Sequence, residues 1–361
     1  MKFFLLLLLI FTSVLEAQTF SVMTFNVENL FDNQDDVGKD DKAYLPASLK
    51  TNIDHQKSCM KIRSTTYKNE CLFMNWSVEH KQRKIKNIKD FFAAMESTPD
   101  VVALQEVENE LVLKSLFESL EEFGYNNYAL LEGKDYRGID NAIISKFPIY
   151  GVKNFEIDFQ TSKSTRDTRP ILEVKLAISD SIIRFYVVHF PSPSLSVDMR
   201  YDAFNTLNKL ASTHNDPVIA LGDFNVTSKE EKDEKIFEKL SSYWSISHLE
   251  GCKGCRGTYF YSRDNTWSFL DAIMIVKKRN LSFSNIRLIQ NEINSDVKSG
   301  KPIGYGFATQ KGISDHLPIF AEVKINRFQV ILNAFLFSVL RKYFEIHKEI
   351  FPNSHILDSV T

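Results

Sequence analysis

Val101-Val102-Ala103-Leu104-Gln105-Glu106-Val107 is a short apolar run, rich in β-branched residues, that drives straight into a carboxylate. A run of this length and composition reads as a buried strand. Burying its terminal charge is costly unless a cation or a donor compensates, which makes Glu106 a candidate Mg2+ ligand. The competing reading is an N-cap for a helix that starts near Leu111. Outward from this strand, helical spacing over 80–95 and 111–122 flanks it, and a strand over 20–25 precedes it. Further strands are predicted over 142–145, 171–176, 182–188, 218–221, 269–276, 281–288 and 318–323, with a helix over 196–212. Helices covering packed sheets are implied. No Pro/Gly linker or internal repeat divides the body, so one domain over 18–326 is expected. The polar stretch 32–75 lacks sustained periodicity and reads as an insertion over the site.

Other strand ends repeat the pattern of chemistry where a rigid strand releases into a loop. Phe25-Asn26-Val27-Glu28-Asn29 supplies two amides and a carboxylate, oxygen donors of the kind hard cations prefer. Val187-Val188-His189 ends a second β-branched run in an imidazole. Gly222-Asp223-Phe224-Asn225 offers an Asp able to orient or deprotonate water and an Asn able to hold a phosphate oxygen. Asp271 is an isolated acid inside the apolar run Phe269-Leu270-Asp271-Ala272-Ile273, where an unpaired charge needs a partner. Ser314-Asp315-His316-Leu317-Pro318 supplies an imidazole that an Asp could hold in its charged form beside a phosphate.

Taken in order, Phe25-Asn26-Val27-Glu28, Gln105-Glu106-Val107, Gly222-Asp223-Phe224-Asn225 and Ser314-Asp315-His316 resemble the four motifs of the endonuclease/exonuclease/phosphatase superfamily, from about Phe20 to Val323. That superfamily includes deoxyribonuclease I-like nucleases, bacterial sphingomyelinases and inositol-polyphosphate phosphatases. The resemblance implies an α/β fold: a four-layer sandwich with two mostly antiparallel sheets face to face and helices outside. It implies that Glu106 holds a divalent ion, Mg2+ with Mn2+ or Ca2+ as alternatives, with Glu28 and Asp315 assisting. Asn26 and Asn225 would hold the phosphate or the attacking water, which Asp223 would orient or deprotonate. His316, paired with Asp271, would bind or protonate the phosphate, and His189 would stand near the leaving group. Arg169 matches a phosphate-facing Arg of the nuclease branch. The stretch 133–142 and Asn29-Leu30-Phe31-Asp32 look most like exported bacterial nuclease-type members, so DNA or RNA is the expected substrate. A phospholipid phosphodiesterase and an inositol or nucleotide phosphatase are the enzymatic alternatives. A non-catalytic binding protein on the same scaffold is the alternative of another class.

Composition is compatible with these expectations. With 43% hydrophobic and 25% charged residues the body is globular and not disordered. A net charge of −2 advertises no global attraction to nucleic acid, though a local patch is possible. Ten Lys or Arg against three acids between Lys50 and Lys89 form the candidate, and a solvated helix face is the equal alternative. A positive tip and the apolar run Leu5 to Ile10 read as a signal peptide over 1–17, so a secreted or periplasmic monomer with no membrane span after cleavage is expected. Export favours disulfides for the four cysteines, with Cys59–Cys71 and Cys252–Cys255 as the local pairings. The CxxC spacing of the second pair is also that of half a zinc site or a redox pair. The tail 327–361 has helical spacing, and its apolar run is too short for a membrane span.

Overall fold

The computed structural model describes residues 18–160, 169–252 and 254–326. The expected signal peptide over 1–17 and helical tail over 327–361 lie outside the described residues. Residues Phe20–Val323 form one compact unit; the second unit gathers the ends of the chain, of which only the outer residues of the first and last strands are described. Among the described residues, no helix is long and apolar enough to cross a membrane.

The strands are β1 (Gln18–Leu30), β2 (Val101–Val107), β3 (Asn127–Leu130), β4 (Asp140–Ser145), β5 (Ile149–Phe155), β6 (Ile171–Ile178), β7 (Ser181–His189), β8 (Val218–Asp223), β9 (Trp244–Ile246), β10 (Tyr259–Tyr261), β11 (Thr266–Ser268), β12 (Asp271–Val276), β13 (Leu281–Leu288) and β14 (Ile319–Ile325). They form two six-stranded sheets, in the orders β13-β14-β1-β2-β4-β3 and β5-β6-β7-β8-β12-β9, and a small β10-β11 hairpin. Each sheet contains one parallel pair, β1 with β2 and β7 with β8, among pairs that are otherwise antiparallel wherever the register is resolved.

Side-chain parity explains the layering. Val102 and Leu104 of β2 pack with Ile85, Ile88, Phe91 and Phe92 of a helix over Val78–Ala93 and with Val112, Leu113 and Leu116 of a helix over Glu110–Leu120. Their neighbours Val101 and Ala103 are equally buried on the opposite face, where β2 and β4 meet β6, β7 and β8 of the other sheet. The second sheet mirrors this: Tyr186, Val188, Val218 and Ala220 pack with Ala203, Phe204 and Leu207 of a helix over Val197–Ser212. The result is the helix–sheet–sheet–helix sandwich that the motifs imply. Caps set the helix starts: the Asn109 side chain accepts from Val112 N, and Ser196 accepts from Asp198 N. Truncating a fully buried ring such as Phe91 to Ala would cost about 3–5 kcal/mol.

Two expectations need correction. The stretch 32–75 holds short helices over Ile53–Met60 and Thr65–Phe73, stapled by the Cys59–Cys71 disulfide, so weak amphipathicity hid real structure. Asp271 is the first residue of β12 rather than an interior one, placed opposite Asp223 of β8. Within the Lys50–Lys89 region, Lys50 and Lys84 are buried with their ammonium groups on backbone carbonyls, and Lys86 and Lys89 pair with Asp90 and Glu122. Cys252 and Cys255 form a disulfide, which leaves no thiolate pair for zinc.

Candidate active site

The chemistry gathers where the two parallel pairs end. On the first sheet the β1–β2 register runs from Val22↔Val101 to Asn26↔Gln105 and then shifts, so that Leu30 next faces Val107. The irregularity turns Glu28, Asn29 and Glu106 into left-handed backbone conformations, with φ of 51°, 56° and 63°. For residues with a Cβ that conformation is disfavoured, and it concentrates at sites that must aim a side chain. Asn26 Oδ1 accepts from Glu28 N at 3.0 Å, and Glu106 Oε2 accepts from Asn29 N at 2.9 Å. Glu28 Oε2 accepts from Tyr305 N at 3.1 Å and from Asp315 N at 3.2 Å, which draws the last motif onto the first. Beneath them the buried Lys84 donates to the carbonyls of Glu28 and Asn29. Burial and the nearby Asp315 push the Glu28 carboxyl up to about 7, while burial lowers the Lys84 ammonium against the pull of Glu28.

On the second sheet the ends stay in register, His189 opposite Asp223 and Asp271 opposite Asp223. Gly222 makes this possible: a Cβ there would sit 2.0 Å from the Val188 carbonyl oxygen, and its φ is 146°. His316 Nδ1 donates to Asp271 Oδ2 at 2.7 Å, fully buried. Burial opposes a charge on this imidazole, but Asp271, with Asp315 and Asp223, holds it well above the usual histidine range. Burial, then the guanidinium of Arg169, pushes His189 well below that range. The pair is therefore one imidazolium and one neutral imidazole. Burial and Asp271 push Asp223 up to about 7. Its Oδ2 lies 3.6 Å from His189 Nε2 and 3.9 Å from His316 Nε2, and its Oδ1 accepts from Asn225 N at 2.9 Å.

Asn26 joins the two halves. Its Nδ2 donates to Asp223 Oδ2 at 3.2 Å and reaches Glu106 Oε1 at 3.4 Å. Ser314 Oγ donates to the Asn26 carbonyl at 2.6 Å and accepts from His316 N at 3.0 Å, locking the last motif to the first strand. All ten residues singled out in the sequence thus belong to one network except Arg169, which sits behind it. The Arg169 guanidinium is buried and donates to the carbonyls of His189 and Phe190 and to Asp135, while Asn225 Nδ2 donates to the same Phe190 carbonyl at 3.0 Å. It supports the ends of the strand and the loop rather than facing the cleft as a free phosphate ligand.

The sequence of motifs, the sandwich and this network point the same way as a sequence profile. The profile of the Endonuclease/Exonuclease/phosphatase family matches residues 67–325. The chain belongs to that family. Its members are phosphodiester and phosphomonoester hydrolases, and the chain is a hydrolase of this class. No curated protein matches the chain by sequence. Solved structures similar in fold include a family member from Bacteroides thetaiotaomicron (TM-score 0.54, 17% identity, 86% of this chain and 99% of that one). A D. rerio TDP2 complexed with a single-stranded DNA product is similar too (TM-score 0.53, 16% identity, 85% and 99%). So is a Bacteroides thetaiotaomicron mannosyl-6-phosphatase (TM-score 0.51, 17% identity, 84% and 99%).

Family members depend on a divalent cation, and the residues here fit one. Glu106, whose Oε1 lies 3.4 Å from Asn26 Nδ2, and Glu28, whose Oε2 accepts from Asp315 N, would offer hard carboxylate oxygens to such an ion. Asp223, Asp271 and His316 also lie within 4.8 Å of one another, but the hydrogen bond to Asp271 already occupies His316 Nδ1. Sequence reading missed Lys84, hidden in a basic helix, and Tyr259, whose ring lies 4.9 Å from that of His316. Burial, with Asp315 next, raises the Tyr259 hydroxyl above the usual range. No periodic or motif signal marks either residue.

Proposed function

We propose that the protein is an exported, Mg2+-dependent phosphodiesterase acting on DNA or RNA. The observation that carries the chemistry is the Asn26 amide bridging Glu106 and Asp223, with the His316–Asp271 pair beside it. Glu106 would hold the ion, with Glu28 and Asp315 completing its oxygen donors. A bound Mg2+ supplies charge stabilisation at the phosphoryl oxygens. Asp223 takes the proton of the attacking water at Oδ2, and a carboxyl raised to about 7 is suited to that exchange near neutral pH. The Asn225 and Asn26 donors fix its orientation. The imidazolium of His316, held by Asp271, binds or protonates a phosphate oxygen, so negative charge developing on the phosphoryl group meets a preorganised cation. Neutral His189 stands on the other side of Asp223, where the leaving oxygen would depart.

Export is supported by the leader-like first residues and by two disulfides, which persist in oxidising compartments. Plasmid DNA, RNA, sphingomyelin and a phosphoinositide, each incubated with the protein and Mg2+, form the test. Cleavage of a nucleic acid that vanishes with chelator and with His316→Ala is the expected result. Turnover confined to the lipid substrates would reject the nucleic-acid assignment.

A further inference from the structure

A second set of carboxylates converges just past the end of β2. Asp32, Asp36 and Asp41 open the 32–75 stretch, and Glu108 follows β2. Ligand-capable oxygens of Asp36, Asp41 and Glu108 lie within 4.8 Å of one another. Asp41 is fully buried and Glu108 is 2% exposed. Amides satisfy part of the set: Glu108 Oε2 accepts from Asp32 N at 2.6 Å, and Asp41 Oδ2 accepts from Asp36 N at 2.7 Å. Asn109 Nδ2 donates to Asp32 at 3.2 Å and to Asp36 at 3.4 Å. Asp41 Oδ1 is buried with no hydrogen-bond partner among the described residues. None of the four carboxylates forms an ion pair with Lys or Arg among those residues, although Arg and Lys pair with many acids elsewhere in the chain.

Neutral amide donors orient carboxylates but do not cancel their charge. Three or four anions gathered out of water without a cation are strongly unfavourable unless they are protonated or an ion binds. We propose that Asp36, Asp41 and Glu108 bind a structural divalent cation of the calcium type, held in place by Asp32 and Asn109. An all-carboxylate set of irregular geometry suits calcium, which accepts six to eight oxygens flexibly, better than magnesium, which demands a near-octahedral shell and retains waters. With Asp41 and Glu108 buried, the ion would act as a clamp. It ties the start of the 32–75 stretch to the end of β2, next to Glu106. Residues far apart in the chain are thereby joined, which is where an ion restrains the unfolded chain most.

The inference does not depend on the catalytic proposal, and its test keeps the two apart. Calcium is titrated by calorimetry into chelator-stripped full-length protein carrying Glu106→Gln, and thermal unfolding is followed with and without calcium. One calcium per chain and a higher Tm in calcium are expected, with binding weakened at least tenfold by a further Asp41→Asn or Glu108→Gln substitution. Absence of calcium binding in the Glu106→Gln protein overturns the proposal, as does unchanged affinity in the Asp41→Asn variant. If the buried substitutions prevent folding, the partly exposed Asp36→Asn decides: a tenfold loss sustains the site and an unchanged titration rejects it. Equal affinity for Mg2+ rejects the calcium assignment.

Discussion

The parallel pair in each sheet ends differently. β1 and β2 end in a register shift with three left-handed residues, and the side chain of Glu106 at that end is 15% exposed. β7 and β8 end in register, and the side chains of His189 and Asp223 are 4% and 2% exposed. An irregular end aims oxygens toward solvent, where an ion can enter and exchange its waters. A regular end keeps titratable groups dry, where each charge strongly sets the protonation of its neighbours. On the proposed function, one half of the site would hold a cation and the other would place protons, with Asn26, hydrogen-bonded to both Glu106 and Asp223, as the connection.

The largest test of that division is on the dry side. Asp223→Asn and His316→Ala should each lower kcat on the cleaved substrate by about a thousandfold, since they remove the proton acceptor and the preorganised cation. Raising Mg2+ should restore neither. Rescue of Asp223→Asn by excess Mg2+ would show that the two halves are not separate in role. On the wet side, Glu106→Gln should cost about a hundredfold and shift half-maximal activity to higher Mg2+, because one carboxylate ligand is lost while others remain. An unchanged metal dependence in the folded variant would remove Glu106 from the ion.

The connection itself predicts a smaller, non-additive effect. Asn26→Ala should lower activity about tenfold, and its effect should shrink when Asp223→Asn is already present. A coupling of about 1 kcal/mol or more is expected for side chains in direct contact. Strict additivity in this double-mutant cycle would mean that the 3.2 Å hydrogen bond between them carries no functional information.

These contrasts also show which parts were legible in the sequence. Strand ends such as Leu104-Gln105-Glu106 and Leu221-Gly222-Asp223 were readable, because an apolar run followed by a charge is an expensive pattern that needs a reason. The partnership of Asp271 with His316 needed the fold, since the two are far apart in the chain and meet only through β12 and the loop before β14. Lys84 looked like one more solvated charge, and only the turn of its helix puts it under Glu28. The acids at 32, 36 and 41 looked like an ordinary polar loop, because nothing local shows that Glu108 buries beside them. Short strands such as β3 and β9 have too few residues for periodicity to register.

The smallest effect lies behind the dry half and concerns stability. His248 packs flat on Phe269 and edge-on to Phe237, with ring centroids 4.6 Å apart in both cases, and its Nδ1 is buried with no hydrogen-bond partner among the described residues. Burial pushes it from the ordinary histidine range down to about 4. In the unfolded chain the imidazole takes up a proton below about 6.5, whereas in the fold it stays neutral until about 4. The unfolded state therefore binds more protons across that window, and stability must fall as pH drops through it. Allowing for the partial exposure of the ring, the loss attributable to His248 between pH 7 and pH 5 is about 1 kcal/mol. His248→Phe keeps the ring stacking and removes the titration, so its denaturant midpoint should decline less over the same interval. Parallel declines in parent and variant would place the acid sensitivity elsewhere, in the carboxylates that both share.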